Sequence, residues 1–461
     1  MFRRSRIPFL ISLIAILLLL GACSPAQPTA APEEEVAPTT AAEDEEDEEP
    51  EASGEEEAPA GEEAQSIEFW IPAGAGRDEG VSAVVEAFEA QYPHISVEVN
   101  AIPFNEFLNS MQVAYAGDSP PDVSLTNGVA IQNLAFNGAL LPIDDAFSED
   151  DLTDFMPDLV DMVTYDGQMY GAPWAQAGNV MYYNVDMFEA AGIEAPSSLD
   201  EVWTWPEFVE NVNAVRDVQA EQGNEVWGMV GLDNPLTGSY FTWTMIRSNS
   251  SPGEPLWQGM APDWSTVSGY IDTSEAMEAY AFYQSLYSDG FMPSDAVPDA
   301  FGTGKAATYF AIPPTGNVLS NTFPELNWDA MPVPYHKTPL THTGSFAPTI
   351  SAKSDSPETA KLFVQFFTSA EGYLTYHAVN SQLPARISLQ DDLPELQEGY
   401  LALVFDQVRE WGVARPGGPA HTIFDRIVAN DLMVNIALGA DIEEAVANAV
   451  SEADAQLGQF R

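Results

Sequence analysis

Hydrophobic positions along the chain alternate between two periods from residue 67 onward. Short segments with a period of two, or a short apolar run, predict strands at residues 67–71, 95–99 and 122–125. Segments with a period of three to four predict helices at residues 81–91, 105–116 and 130–136. Strands that alternate with helices favour an α/β fold with a mixed, mainly parallel sheet, whose strand ends shape ligand sites. Residues 67–461 are too many for one core of ordinary size, so we expect two lobes.

The N-terminal pattern is different. Arg3, Arg4 and Arg6 precede an apolar stretch at residues 7–20, which ends in Leu20-Gly21-Ala22-Cys23. A basic head, a short apolar segment and small residues before a cut are typical of an export signal. As a helix the stretch would span about 21 Å, which is less than the ~30 Å core of a bilayer. Its last four residues resemble a bacterial lipobox, in which the cysteine is acylated and becomes the first residue after cleavage.

We therefore predict a lipoprotein signal peptide at residues 1–22 and a lipid anchor on Cys23. The alternative is an ordinary secretory signal with an incidental cysteine. Cys23 is the only cysteine, so the chain forms no intramolecular disulfide and no thiolate site for zinc or iron–sulfur clusters. After it, residues 24–65 are mostly Pro, Ala, Thr and Glu, a composition that predicts a disordered acidic linker.

Charge excludes one class of partner. The chain has 71 acidic and 15 basic residues, a formal net charge of −56. Nucleic-acid binding depends on Lys and Arg side chains that neutralise phosphates, so the charge argues strongly against it. Five histidines lie without the spacing of metal ligands, and no Gly-x-Ser-x-Gly motif of a nucleophilic serine occurs. We expect no metal, no cofactor and no enzymatic activity.

Several segments in a fixed order carry a family resemblance. They read FEAQYPHISV at 88–97, AGDSPPDV at 116–123, DGQMYGAPW at 166–174, YNVDMFEAAG at 183–192, WPEF at 205–208 and GKAATY at 304–309. In this order and spacing the chain resembles the extracellular solute-binding proteins of ABC importers, specifically the sugar-binding group that includes maltose-binding protein.

The resemblance implies a two-lobed periplasmic-binding-protein fold, class II-like, with helices flanking each sheet and a hinge between the lobes. Lobe 1 would comprise residues 66–173 plus 344–384, and lobe 2 residues 174–343 plus 385–461. The chain would first cross between the lobes near Trp174, after the turn at Asp166-Gly167. The alternative for this segment is a turn and strand inside one lobe.

Sugars present flat apolar C–H faces and rings of hydroxyls, so a site for them needs aromatic platforms and fixed polar groups. The aromatic candidates are Trp70, Trp174, Tyr240, Trp243 and Trp257; Trp70 is expected to end the first strand. Any of them could instead belong to a core. The polar candidates are Asn127 after the third strand and Arg386, for which a structural ion pair is the alternative. Gly344 and Ser345, before the late strand, resemble the family's small-residue pair whose backbone approaches the ligand.

Together these features predict a monomeric binding protein held by its lipid on the outer face of the cell membrane. It would capture a mono- or oligosaccharide by hinge closure and deliver it to an ABC permease. Two alternatives stay open. One is the same fold binding a polyamine or other small solute, and the other is an exported carbohydrate-active hydrolase.

Overall fold

The computed structural model describes residues 63–74, 76–231, 240–380 and 382–460. The predicted signal peptide, Cys23 and residues 24–62 of the predicted linker lie outside this part of the chain. The first strand begins at Gln65, inside the predicted linker, because the Gln65 N–H donates to the His94 carbonyl at 2.9 Å and Gln65 pairs with Ile95.

The described residues form short strands and helices in alternation over most of their length. The strands are β1 (Gln65–Ala73), β2 (Ile95–Pro103), β3 (Val123–Asn127), β4 (Thr164–Tyr165), β5 (Gln168–Met169), β6 (Ala175–Gln176), β7 (Val180–Asn184), β8 (Trp227–Val230), β9 (Ala306–Ala311), β10 (Trp328–Met331), β11 (Thr341–His342), β12 (Phe346–Ile350), β13 (Leu383–Pro384) and β14 (Gly412–Val413). The helices are α1 (Arg77–Gln91), α2 (Phe104–Ala116), α3 (Gly128–Phe136), α4 (Glu149–Asp154), α5 (Pro157–Val163), α6 (Val185–Ala191), α7 (Trp205–Glu221), α8 (Thr242–Arg247), α9 (Pro255–Gln258), α10 (Ser274–Ser288), α11 (Thr315–Thr322), α12 (Pro357–Phe367), α13 (Ala370–His377), α14 (Gly399–Trp411), α15 (His421–Phe424), α16 (Met433–Ala437) and α17 (Ile442–Leu457). The six predicted segments at residues 67–136 are confirmed. Five extend beyond their predicted bounds, and the third strand is shifted to Val123–Asn127.

The first lobe is built on a four-stranded sheet in the order β12-β3-β1-β2. β1, β2 and β3 run in the same direction, and β12 runs opposite at the edge. Helices α1 and α12 pack against this sheet, and edge-to-face aromatic contacts join them in the core. The Phe363 ring lies 5.2 Å from that of Phe69 and 5.1 Å from that of Phe88, measured between centroids. Such contacts add to the burial of apolar area that holds the layers together.

The second lobe is built on a sheet in the order β10-β7-β9-β8. β8 and β9 are parallel, and β7 is antiparallel to both β9 and β10, so again three strands share a direction and one opposes them. The opposing strands, β7 and β12, each follow a stretch in which the chain passes from one sheet to the other. The prediction of an α/β fold with mixed, mainly parallel sheets is confirmed.

Local signals explain several element boundaries. Asp166 and Gly167 have φ of 48° and 77° and join β4 to β5, as expected for a two-residue hairpin turn with positive φ at both positions. Asn184 caps the N-terminus of helix α6, because its side chain accepts a hydrogen bond from the Met187 N–H at 3.0 Å. Thr204 and Glu207 form a capping box at the start of α7. Caps of this kind stabilise a helix by about 1 kcal/mol.

Two short strand pairs lie at the passage between the sheets. β6 pairs with β13, and β11 pairs with β14. Segments that are adjacent in space but distant in sequence therefore run side by side where the lobes join, which is a suitable place for a hinge. The predicted lobe boundaries at residues 173/174, 343/344 and 384/385 stay a prediction. In the part of the chain that the structure describes, no helix has the length and hydrophobicity needed to span a bilayer.

Candidate ligand-binding site between the two lobes

Polar side chains from both lobes meet where the lobes join. Asn127 ends β3, and its Oδ1 atom accepts from the Val129 N–H at 3.4 Å, which caps α3. The same atom accepts from Arg415 Nη2 at 3.4 Å. Arg415 is held on the second-lobe side, because the carbonyl of its neighbour Ala414 accepts from Arg247 Nη1 at 2.7 Å. Asn127 and Arg415 therefore form a polar contact between the lobes.

An acidic group lies beside this contact. Asp158, on α5, accepts from Gln176 Nε2 at 2.9 Å and from the Thr343 hydroxyl. Desolvation raises the pKa of the Asp158 carboxyl, and these two hydrogen bonds oppose that rise. Gln176 Oε1 in turn accepts from the Gly344 N–H at 3.2 Å. The network fixes the backbone of the segment that leads into β12.

Gly344 has a structural reason to be glycine. Its φ is +122°, and a Cβ atom there would lie 2.8 Å from the Met162 sulfur. The positive φ disfavours any residue with a side chain, and a Cβ atom would also require the Met162 side chain to move. Next to it, the Ser345 carbonyl accepts from the Gly128 N–H at 2.9 Å. The two predicted residues therefore bring their backbone close to Asn127, at the start of α3.

Two buried polar atoms at this junction have no hydrogen-bond partner among the described residues. They are the Tyr240 hydroxyl and the Arg415 Nε atom. The Arg415 guanidinium lies 5.3 Å from the centroid of the Tyr240 ring. Burial lowers the pKa of Arg415, an effect that Asp425 and Tyr240 oppose, and burial raises the pKa of the Tyr240 hydroxyl. Unsatisfied buried polar groups cost about 1–3 kcal/mol each, so a ligand that pairs with them gains affinity.

The space at this junction is small. A cavity of about 30 Å³ is lined by Gly128, Val129, Gln132, Met162, Ala414, Arg415, Gly418 and His421. That volume holds about one water molecule, so a larger solute enters only after α3 and residues 414–421 separate. Larger cavities lie elsewhere, such as one of about 470 Å³ beside Arg216 and Trp227, and none of the residues lining that one holds an unpartnered buried polar atom.

Aromatic side chains also join the two lobes. Phe136 at the end of α3 lies 5.3 Å from Phe460, and Tyr165 on β4 lies 6.2 Å from Trp264, measured between ring centroids. Phe136 contacts Tyr165 at 6.0 Å and Trp264 contacts Phe460 at 6.4 Å, which completes a circuit of four rings. The two lobes are therefore in direct contact in this conformation.

The structure brings only some of the predicted site residues to this junction. Asn127, Tyr240, Gly344 and Ser345 lie there. Trp257 is linked to it only indirectly, because its carbonyl accepts from Arg247 Nε at 2.5 Å and its ring lies 5.0 Å from the Arg247 guanidinium.

Two predicted tryptophans are core residues in this conformation. Trp174 is 2% exposed and packs in the first lobe, with its ring centroid 4.6 Å from that of Tyr376. Trp243 is fully buried in the second lobe, 5.0 Å from the Phe424 ring. Neither ring has a face open to a ligand in this conformation. Both therefore match the alternative interpretation, in which the tryptophan belongs to a core.

Trp70 and Arg386 also lie away from the junction. The prediction that Trp70 ends the first strand is wrong, because Pro72 and Ala73 continue the pairing of β1 with β2. The Trp70 Nε1 atom donates to Glu68 Oε1 at 2.6 Å. Arg386 forms ion pairs with Asp151 at 2.8 Å and Asp154 at 3.2 Å. This is the structural alternative for Arg386, because its guanidinium nitrogens are already engaged.

The site also contains residues that the sequence did not indicate: Asp158, Gln176 and Arg415. Arg415 could have been suspected, because a chain with 15 basic residues places one directly before Pro416-Gly417-Gly418, a turn that allows close approach of the backbone. Asp158 is hidden by the 71 acidic residues of the chain.

His421 predicts a pH dependence of stability. It is buried at the edge of the cavity, and its Nδ1–H donates to the Pro416 carbonyl at 2.6 Å. Burial lowers the pKa of His421 to about 4, although Asp425 raises it, and Arg415 lowers it further. The unfolded chain, with a His pKa near 6.5, then binds more protons between about pH 6.5 and 4. Stability should fall as pH decreases through that window, by up to about 3 kcal/mol from this residue.

The measurement is urea denaturation of the protein and of His421→Gln between pH 7.5 and 4.5. Burial lowers the pKa of His336 to about 4 as well, so the wild type alone does not isolate His421. We expect a flatter pH profile for His421→Gln. Parallel profiles for the two proteins would show that His421 does not titrate differently in the folded state.

Comparison with known proteins decides the family. The model of the bacterial extracellular solute-binding proteins matches residues 83–399. The chain belongs to this family. The xylose/arabinose-binding protein of Haloferax volcanii is 24% identical to this solute-binding protein over 379 residues, 76% of this chain and 74% of the relative.

Solved structures show the same fold. A sugar-binding protein from Xanthomonas citri has a TM-score of 0.72 at 22% identity, covering 86% of this chain and 98% of that one. A solute-binding protein from Thermotoga lettingae, bound with α-D-tagatose, has a TM-score of 0.71 at 20% identity, covering 86% and 100%. The prediction of a two-lobed periplasmic-binding-protein fold is confirmed, and the polar junction lies between the lobes of that fold.

Proposed function

We propose that this solute-binding protein captures a carbohydrate between its lobes and delivers it to an ABC permease. The supporting observation is a pair of buried atoms at the junction, the Arg415 Nε and the Tyr240 hydroxyl, which have no hydrogen-bond partner in the described part of the chain. A sugar hydroxyl both donates and accepts, so it can pair with an N–H that only donates and with a phenol that does both. The Tyr240 ring supplies an aromatic neighbour for the apolar side of a sugar ring.

The names of similar proteins support the same ligand class. The Haloferax volcanii relative is named for xylose and arabinose, and the Thermotoga lettingae structure contains tagatose. A carbohydrate is therefore our choice of ligand for this chain.

Closure of the hinge is the proposed mechanism. A ligand that contacts Asn127 of the first lobe and Arg415 of the second is bound better when the lobes are together. It therefore shifts the population toward the closed state by its difference in affinity for the two states. The short strand pairs β6–β13 and β11–β14 would absorb the change in backbone angles. The permease would recognise the closed state, and no covalent step is involved.

We also propose that Cys23 anchors the monomeric protein by lipid chains to the outer face of the membrane, with the segment between Cys23 and β1 as its tether. Cys23→Ser should abolish membrane retention and leave sugar affinity unchanged, because the binding site lies between Asn127 and Arg415. Cell fractionation followed by immunoblotting measures retention. Unaltered membrane association of Cys23→Ser would argue for attachment by another segment.

The net charge of −56 favours a polyamine as the second candidate ligand. Against it, the junction itself carries the cation Arg415, which would repel a polyamine. A thermal-shift screen with xylose, arabinose, tagatose, maltose and spermidine separates the two. We expect stabilisation by a sugar, and stabilisation by spermidine alone would exclude a carbohydrate. Chromatography of the sugar after incubation tests the hydrolase alternative, and products formed at turnover would contradict a binding protein.

A further inference from the structure

An aromatic pair covers the carboxyl edge of the first-lobe sheet. Phe104 follows β2 and Phe346 begins β12, and these are the two edge strands of that sheet. Their ring centroids nevertheless lie 6.2 Å apart, at an interplanar angle of 80°. The two side chains therefore reach toward each other over the ends of β1 and β3. Phe104 is 52% exposed, and Leu108, one turn later on α2, is 49% exposed.

A buried cation lies against this pair. The Arg77 guanidinium is 4.8 Å from the centroid of the Phe346 ring, and its Nη1 donates to the Pro72 carbonyl at 2.5 Å. Arg77 is 7% exposed, and its Nε has no hydrogen-bond partner in the described part of the chain. An aromatic surface with an unused donor beside it offers the two kinds of contact that a sugar ring needs.

The aromatic pair is continuous with the junction. Phe346 is the direct partner of Asn127 in the antiparallel pairing of β12 with β3. Asn127 contacts Arg415 across the lobes. Residues directly opposite in such a pairing lie about 4.5–5.5 Å apart, so the exposed surface begins one strand away from the buried site.

We propose that Phe104 and Phe346, with Arg77, form an outer carbohydrate contact for a further ring of an oligosaccharide. The first ring of that oligosaccharide would lie at Asn127 and Arg415, so the inference rests on the proposed function. The space at Arg415 admits a sugar ring only when the lobes separate, and a ring beyond the first would extend from it along the exposed surface at Phe104. The half-exposed Phe104 ring is the apolar surface that such a ring would cover. The ligand is therefore an oligosaccharide rather than a monosaccharide.

The experiment compares affinity along sugars of increasing length. Calorimetric titration would use xylose, arabinose and glucose together with their linear oligosaccharides of two to four rings. We expect wild-type affinity to rise with the second or third ring in the series that binds. Phe104→Ala should lose about three- to tenfold in affinity for those longer sugars and leave the single-ring sugar unchanged.

Two variants act as controls. Phe104→Tyr keeps the aromatic ring and should retain the gain with length. Val113→Ala removes a 64% exposed apolar side chain farther along the same helix and should bind all sugars as the wild type does. Circular dichroism of each variant checks that α2 is intact.

The outcomes separate this inference from the proposed function. If no sugar of any length binds the wild type, the proposed function itself fails. If single-ring sugars bind, and longer ones bind no better or bind Phe104→Ala equally well, only the outer contact is overturned. An equal loss for short and long sugars would also overturn it. A third result would also overturn it. If sedimentation shows a wild-type dimer that Phe104→Ala abolishes, the surface formed by Phe104 and Phe346 binds a second copy of the chain instead of a sugar.

Discussion

Arg415→Lys should weaken sugar binding by about 30- to 150-fold, or about 2–3 kcal/mol, with little change in folding. The guanidinium offers donors in a fixed planar arrangement, and its Nε is buried at the lobe junction with no hydrogen-bond partner among the residues that the structure describes. A lysine keeps the positive charge near Asp425 and loses the planar set of guanidinium donors. The loss should therefore appear in affinity rather than in the free energy of unfolding.

Arg426→Lys is the matched control, because Arg426 is half-exposed in ion pairs with Asp431 and Glu452. Calorimetric titration with the sugar that stabilises the wild type measures affinity, and urea denaturation measures stability. Wild-type affinity in a folded Arg415→Lys would remove Arg415 from the site. A large loss of stability would mean instead that the Arg415 guanidinium holds the two lobes together in the absence of ligand.

Trp174→Ala should lower the free energy of unfolding by about 3–5 kcal/mol. The Trp174 ring is 2% exposed, lies 4.6 Å from Tyr376 and 5.2 Å from Phe367, and fills the core of the first lobe. Its removal leaves a cavity that the surrounding rings cannot fill completely. The folded fraction should bind sugar with almost unchanged affinity, because the ring presents no open face to the junction.

Urea denaturation of Trp174→Ala and Trp70→Ala provides the comparison. Trp70 is half-buried on β1, so its replacement should cost clearly less, at most about 2 kcal/mol. Unchanged stability of Trp174→Ala together with weaker sugar binding would make Trp174 a ligand platform.

The sequence predicted the order of the elements because strands and helices up to residue 136 keep clear hydrophobic periods. It also predicted Asn127, since this residue lies at the end of a strand in the sheet that opens toward the junction. Gly344 was indicated by the family resemblance instead. Strand ends are local features, and local patterns indicate them.

The remaining site residues depend on packing between distant segments. Tyr240 and Arg415 are in contact only because the fold of the second lobe places both at the junction. No local sequence pattern indicates that residues so far apart in the chain lie close in space. Whether a tryptophan is a platform or a core residue depends on what surrounds its ring. Trp174 and Trp243 illustrate this, because both are surrounded by other aromatic side chains.

Arg386 shows the same limit for charged groups. Its guanidinium could serve a ligand or an ion pair, and sequence spacing does not distinguish them. Asp151 and Asp154 on α4 decide the matter by occupying two of its nitrogens.

A crystal structure of the protein with the sugar that stabilises it most tests the central claim directly. The account predicts one carbohydrate between the lobes, within about 2.7–3.2 Å of both the Arg415 guanidinium and the Asn127 amide. A sugar bound to one lobe only, or away from both side chains, would contradict it.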